Sequence, residues 1–267
     1  MSKLQKAMEK AKANRVRSVN NNAHTPGPPA PSAPSSRQQE VNPDYAQTRT
    51  LRVNPDVLEQ NKVFSFFQAH AMADTLKILQ TRVLNRLEEQ GGNTIMVTSA
   101  NRLEGKTLTA VNLAVSIARE LDRTVLLVDA VLRRPGIHRV LGMEAPEGLS
   151  NYLLKEAEIP DLLLHPGIEK LVFLPAGRPL PQSAELLGSP RMKALVQEMR
   201  ERYPERVVLF DTPPILASAD ALAFSKVVDG ILFVVEAERT RRDEIKRAFE
   251  LLQGRPVLGT VLNKAKQ

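Results

Sequence analysis

The sequence predicts an α/β fold built on a doubly wound, mostly parallel sheet, and three observations carry that prediction. Five short runs, TIMVT (94–98), TVLLV (124–128), KLVFL (170–174), RVVLF (206–210) and GILFVV (230–235), are nearly continuous in apolar and β-branched residues. They lack the apolar–polar alternation of a half-exposed strand and read as strands covered on both faces. Segments of helical periodicity separate them, as crossovers between parallel strands require. The first run leads directly into Ala100-Asn101-Arg102-Leu103-Glu104-Gly105-Lys106-Thr107, a loop of the G-x-x-x-x-G-K-T kind with alanine in its first position.

Taken in order, residues 1–18 place Leu4, Met8 and Ala11 on one face of a short basic helix pattern. Such a segment either lies on an acidic surface or is a frayed, solvated start. Residues 19–60 are rich in Asn, Ser and Gln and hold Pro26, Pro28, Pro29, Pro31 and Pro34. Proline removes a backbone donor and fixes φ, so this stretch reads as a tether. The expected organisation is therefore a flexible N-terminal segment over 1–60 and a folded domain over 61–267. From 62 to 89, Val63, Phe66, Phe67, Met72, Leu76, Leu79, Val83, Leu84 and Leu87 recur at three- and four-residue steps, which predicts an amphipathic helix. Gly91-Gly92-Asn93 ends it, glycine supplying the left-handed cap.

Strand 94–98 and the loop lead to a helix over about 106–121 and a second strand, 124–128, that ends at Asp129. An irregular stretch with short helices around 148–163 precedes strand 170–174. Helix 189–202 leads to strand 206–210, closed by Asp211. Helix 218–226, strand 230–235, helix 241–252 and strand 256–262 complete the chain. No internal repeat is present.

Composition narrows the function classes. The chain has 267 residues, 42% of them hydrophobic, enough for one α/β domain and a tail. It has no cysteine, which excludes a disulfide framework, a thiolate metal site, an iron–sulfur cluster and a thiol nucleophile. The net charge is +7, but residues 61–267 carry 28 Lys and Arg against 25 Asp and Glu. With aromatics at 4%, that thin excess gives no nucleic-acid footprint. No apolar run is long enough to span a bilayer and no signal peptide is apparent. A cytoplasmic location is expected, with any membrane contact peripheral or through a partner.

In such a loop the backbone N–H groups converge on an anion, and the helix behind adds its positive end. Glu104, Gly105, Lys106, Thr107 and Leu108 are the candidate nucleotide contacts. Lys106 would reach the β- and γ-phosphates of ATP, and the Thr107 hydroxyl would ligate Mg²⁺. Leu103 is expected in an ordinary conformation, because a positive φ there would cost ~1–2 kcal/mol. Asp129 and Asp211 each end a buried strand at the sheet's carboxyl edge, where ligands gather. They are candidates to hold Mg²⁺; the alternative is that each merely caps the segment that follows.

The set TSANRLEGKT (98–107), VLLVDAVLRRP (125–135), LPAGRPLPQSAELL (174–187), VVLFDTPP (207–214) with Asp220, and VLNK (261–264) resembles the bacterial tyrosine kinases. More narrowly, it is similar to the tyrosine autokinases of capsule and exopolysaccharide export. The resemblance spans about 62–264 and implies a P-loop NTPase fold related to cell-division and partitioning ATPases. It implies that Lys106 and Thr107 bind phosphate and Mg²⁺, that Asp211 holds the metal and that Asp129 serves metal or base. It implies further that Arg133 is the basic residue of the second motif and that Asn263 contacts adenine. Protein tyrosines, self-association and a membrane polysaccharide copolymerase acting as activator are the implied substrates and partners.

Three departures accompany it. The family's Asp-x-Asp-x-Arg motif is Asp129-Ala130-Val131-Leu132-Arg133 here, and Val131 neither binds Mg²⁺ nor accepts a proton. The ring-forming Glu-x-x-Arg-x-x-Arg survives at best as Asp74, Lys77 and Gln80, without the bidentate arginine fork. A tyrosine-rich C-terminal tail is absent, which leaves Tyr45, Tyr152 and Tyr203, of which Tyr45 in the tether is the candidate phosphosite. Two function classes stay open on sequence: an ATP-dependent tyrosine kinase, and a nucleotide-binding regulatory partner of the polysaccharide machine with weakened catalysis. A positioning ATPase of the deviant-loop group is disfavoured, because Asn101 stands where that group carries a lysine.

Overall fold

The computed structural model describes residues 48–266 apart from Gln68, Gln182 and Pro204. The basic helix pattern of 1–18, the tether up to residue 47 and Tyr45 lie outside the described residues. In chain order, Arg49–Thr50 forms β1, Pro55–Gln60 α1, Ala71–Glu89 α2 and Thr94–Ser99 β2. After the loop come Lys106–Ile117 (α3), Thr124–Asp129 (β3), Ile137–Val140 (α4), Leu149–Leu153 (α5) and Ile159–Leu162 (α6). Leu164–His165 (β4), Leu171–Leu174 (β5), Ser183–Leu187 (α7), Pro190–Arg202 (α8) and Arg206–Asp211 (β6) follow. Ala219–Phe224 (α9), Gly230–Glu236 (β7), Arg242–Leu251 (α10) and Val257–Asn263 (β8) complete the fold. Among the described residues no helix is long and apolar enough to cross a membrane.

The eight strands form one sheet in the order β1-β4-β5-β3-β6-β2-β7-β8. Every pairing is parallel except the short antiparallel contact of β4 with β5. Successive strand residues face opposite layers: Ile95 and Val97 pack with α2 and α3, while Met96 packs with α8 and α9. Both layers are dry, and this is why the strands read as unbroken apolar runs. The arrangement is the doubly wound sheet expected. The order places β6 between β2 and β3, so the carboxyl ends of three central strands meet at one point.

Two expectations about the N-terminal half need correction. The tether assigned up to residue 60 ends sooner, because residues 49–60 belong to the folded body. Leu51 N–H donates to the His165 carbonyl (2.9 Å), Asn54 caps α1 by accepting from Asp56 N–H (2.9 Å), and Leu58 is fully buried. The Asn- and Pro-containing text that suggested a linker is a helix cap followed by a first-turn proline. The single helix expected over 62–89 is also broken. Lys62 sits at φ 62°, Phe64–Phe66 is one 3₁₀ turn, and α2 begins only at Ala71, with His70 Nδ1 accepting from Met72 N–H (3.1 Å). The break has a tertiary cause: Asn112 on α3 accepts from Ser65 N–H (3.0 Å) and donates to the Lys62 carbonyl (3.1 Å). The helix ends as expected, with Gly91 at φ 63°.

The third position of the weakened ring-forming motif also turns inward. Gln80 is buried, donates to Glu120 and accepts from the Ser116 hydroxyl at 2.5 Å, so it ties α2 to α3. It is a core residue and not part of an outer face.

If residues 49–60 are integral to the fold, Leu58→Ala should lower unfolding free energy by about 2–5 kcal/mol, as for other buried leucines. Urea denaturation followed by circular dichroism measures this. A loss under about 1 kcal/mol would return the segment to the tether.

Candidate active site

The phosphate loop is held from inside and from behind. The Glu104 carboxylate is only 2% exposed and accepts from Asn101 N–H (2.9 Å), the Asn101 side-chain amide (3.4 Å) and the Thr240 hydroxyl (2.7 Å). From behind, Asn263 at the end of β8 donates to the Glu104 carbonyl (2.9 Å), and Lys264 donates to the Leu103 carbonyl (2.8 Å). Gly105 lies at φ 93°, and a Cβ there would sit 1.9 Å from the Asn263 amide nitrogen. Both conformation and space therefore require glycine at this position. Gly105 gives α3 no side-chain cap, which leaves first-turn N–H groups directed at the cleft.

Leu103 departs from expectation. Its φ is 68°, the left-handed region, and its side chain is 76% exposed. The steric cost of ~1–2 kcal/mol is real, and the neighbouring hydrogen bonds from Asn263 and Lys264 offset it by fixing the carbonyls on either side of the turn. Ala100, in place of the usual glycine, is fully buried against the sheet layer of Met96 and Ile215 and needs no positive φ.

Two carboxylates face the loop. Asp129 and Asp211 are register partners on adjacent strands, and both are fully buried. Asp211 accepts from the Thr107 hydroxyl (2.6 Å), and the Lys106 ammonium lies 3.4 Å from its other oxygen and 3.1 Å from Thr107 Oγ1. Burial raises the Asp211 pKa, and Lys106 and Thr107 draw it back. Asp129 accepts from Val131 N–H (3.1 Å) through Oδ1, and from Gly136 (2.9 Å) and Ile137 (3.0 Å) N–H through Oδ2. Burial first and the Asp211 charge second push its pKa from 3.8 up to about 7, against those three N–H donors. Asp129 therefore organises the loop after β3, the capping role, as well as standing at the site.

A cleft of about 460 Å³ opens between the phosphate loop and the loops after β3 and β6. Its walls include Arg102, Lys106, Thr107, Val131, Arg133 and Pro213. The structure thus brings Gly105, Lys106, Thr107, Leu108 and Arg133 around one cleft, with Asp211 in contact with Lys106 and Thr107. Val131 lines the same cleft, so the missing carboxylate is missing from the site itself. Asn263 lies behind the loop, its side-chain amide donating to the Glu104 carbonyl. Glu104 was anticipated as a nucleotide contact; the Thr240 contact to its carboxylate and the Lys264 contact to the loop had no signal in the sequence, because each joins residues over a hundred positions apart. The residues suit Mg²⁺ and a polyphosphate. Thr107 and Asp211 set two hard oxygens side by side, and the negative charge of Asp211 and of its register partner Asp129 favours a dication there.

No protein-family model matches the chain. The tyrosine-protein kinase YwqD of Bacillus subtilis is 33% identical over 219 residues, covering 81% of this chain and 91% of that protein. The succinoglycan biosynthesis transport protein ExoP of Rhizobium meliloti is 38% identical over 178 residues, 64% of this chain but 22% of its own length. Among solved structures, the kinase domain of the Escherichia coli tyrosine kinase ETK superposes with a TM-score of 0.70 at 26% identity, covering 82% of this chain and 91% of that one.

The Asp129 shift has a signed consequence. A carboxyl whose folded pKa is about 7 and whose unfolded value is near 3.8 stabilises the fold fully below the lower value. That contribution declines as pH rises and is gone above 7. Nucleotide-free protein should therefore lose urea stability between pH 4 and 7, and Asp129→Asn should flatten that slope whatever it does to the overall level. Parallel slopes for the two proteins would refute the raised pKa.

Proposed function

This chain belongs to the bacterial tyrosine-protein kinases, and we propose that it binds Mg–ATP in the cleft and passes the γ-phosphoryl group to protein tyrosines. The observation that carries this reading is the convergence of Lys106, Thr107 and Asp211 within 3.4 Å at the mouth of a glycine-requiring loop. The α3 N–H groups and Lys106 bind and orient the phosphates. Thr107 and Asp211 would hold Mg²⁺, which would supply neutralisation of phosphate charge. Arg133 supplies a planar donor fork on the opposite wall. Asp129, the register partner of Asp211, is the remaining carboxyl at these strand ends to take the tyrosine proton.

The biological setting we assign is the regulation of exopolysaccharide or capsule synthesis and export, the systems that family relatives such as ExoP serve. Activation by a membrane copolymerase follows from that setting. A second reading has its own support: Val131 lines the cleft where the family's second motif carries a carboxylate, which favours a nucleotide-sensing regulator of low activity. A positioning ATPase is disfavoured, since the Asn101 amide is folded onto Glu104 and has no lysine's reach across a dimer.

Lys106→Met should abolish Mg–ATP binding measured by calorimetry, and unchanged affinity would sink the site assignment. Val131→Asp should raise autophosphorylation, followed with labelled ATP, by roughly 10²-fold or more, the ordinary range for a restored proton acceptor. A native chain that already phosphorylates tyrosine, at a rate the change does not move, would show that the absent carboxylate is immaterial and would dismiss the regulator reading.

A further inference from the structure

Arg133 is a half-exposed side chain on a loop, with three or four freely rotating bonds, yet its guanidinium is held from one side. Its Nε donates to the Ser183 hydroxyl at 2.9 Å and lies 3.9 Å from the Asp220 carboxylate. Ser183 and Asp220 are both fully buried. They lie in the first turns of α7 and α9, and neither touches the phosphate loop in any described contact. Ser183 donates to one Asp220 oxygen and Ser218, which lines the cleft, donates to the other. The bracket is also keyed to the arginine's own backbone, because Leu180 N–H donates to the carbonyl of Leu132 at 2.9 Å.

We infer that Ser183 and Asp220 are positioning residues that lock the inner edge of the Arg133 guanidinium so that its two terminal nitrogens face the γ-phosphoryl group. Three features support this. A buried carboxylate needs a partner of opposite charge, and Arg133 is the only cation within 4.0 Å of Asp220 among the described residues. Engaging Nε leaves the Nη pair, the half of the fork that matches phosphate oxygens bidentately, without a described protein partner. The loop cradles the inner phosphates beside Lys106, so the wall beyond the ends of β3 and β6, where Arg133 stands, is where the terminal phosphoryl group arrives. Pre-setting the side chain removes the rotamer entropy otherwise lost on binding. Sequence offered Asp220, and Ser183 within the 174–187 motif, only as part of a resemblance.

The inference rests on the cleft being a nucleotide site, and the test separates the two. Calorimetry with Mg–ATP and Mg–ADP is run on the full chain, Lys106→Met, Ser183→Ala, Arg133→Ala and the Arg133→Ala/Ser183→Ala double variant. Ser183→Ala should weaken ATP about tenfold, the scale of one charge-assisted hydrogen bond, and leave ADP unchanged. The double variant should bind ATP no worse than Arg133→Ala alone, because Ser183 acts only through that arginine. Asp220→Asn, checked for an unchanged unfolding midpoint, should reproduce the ATP-selective loss. Equal losses for both nucleotides, or additive losses in the double variant, would reduce the bracket to a structural contact. A native chain that binds ATP through Lys106 but is indifferent to Ser183→Ala overturns this inference alone. A native chain that binds neither nucleotide overturns the cleft as well.

Discussion

A carboxylate buried among apolar strands has no water to solvate it, so the protein must supply its partners. Asp211 is that carboxylate, and Lys106 and Thr107 are the partners. The arrangement exists because β6 is inserted between β2 and β3, which sets the end of one strand beside the loop that leaves another. Everything chemical about the cleft depends on this meeting. The same insertion makes Asp129 and Asp211 neighbours, and their mutual repulsion helps hold Asp129 near neutrality.

The phosphate loop is not self-supporting. Leu103 adopts a conformation that its Cβ opposes, and only contacts from the far end of the chain keep it there. Asn263 and Lys264 grip the loop carbonyls from behind while Glu104 fills its interior, joined by Thr240 at the turn that follows β7. The last strand thus supports the loop although it sits at the edge of the sheet. A loop locked this way presents its N–H groups without reorganising when an anion arrives, which is the physical basis of tight phosphate capture.

The segment leading into the domain is coupled to both walls of the cleft. Asn61 donates to the carbonyls of Arg139 (3.2 Å) and Val140 (3.0 Å) at the end of the loop that Asp129 organises. Asn112, one turn beyond the cleft-lining Leu108, holds residues 62–65. Residues 54–65 therefore bridge the helix behind the phosphate loop and the helix after β3. Side-chain amides suit this task, since each can bond two or three backbone groups at once.

The sheet, its parallel sense, the phosphate loop and the two strand-end aspartates were legible in the sequence, because each rests on local chemistry. Unbroken apolar runs mean strands covered twice, and Gly105-Lys106-Thr107 after such a run means a helix end facing an anion. Where the sequence misled, a distant group had overruled a local preference. Leu103 takes a left-handed turn because Lys264 and Asn263 hold its neighbours, Gln80 turns inward because Ser116 and Glu120 await it, and the helix pattern over 62–89 breaks because Asn112 captures Ser65. The sequence alone determined which groups were candidates to meet a nucleotide. Tertiary structure decided how they are arranged: strand order, fixed by the packing of two helical layers and not written in any local pattern, set Asp211 against Lys106 and placed Asn263 against the Glu104 carbonyl.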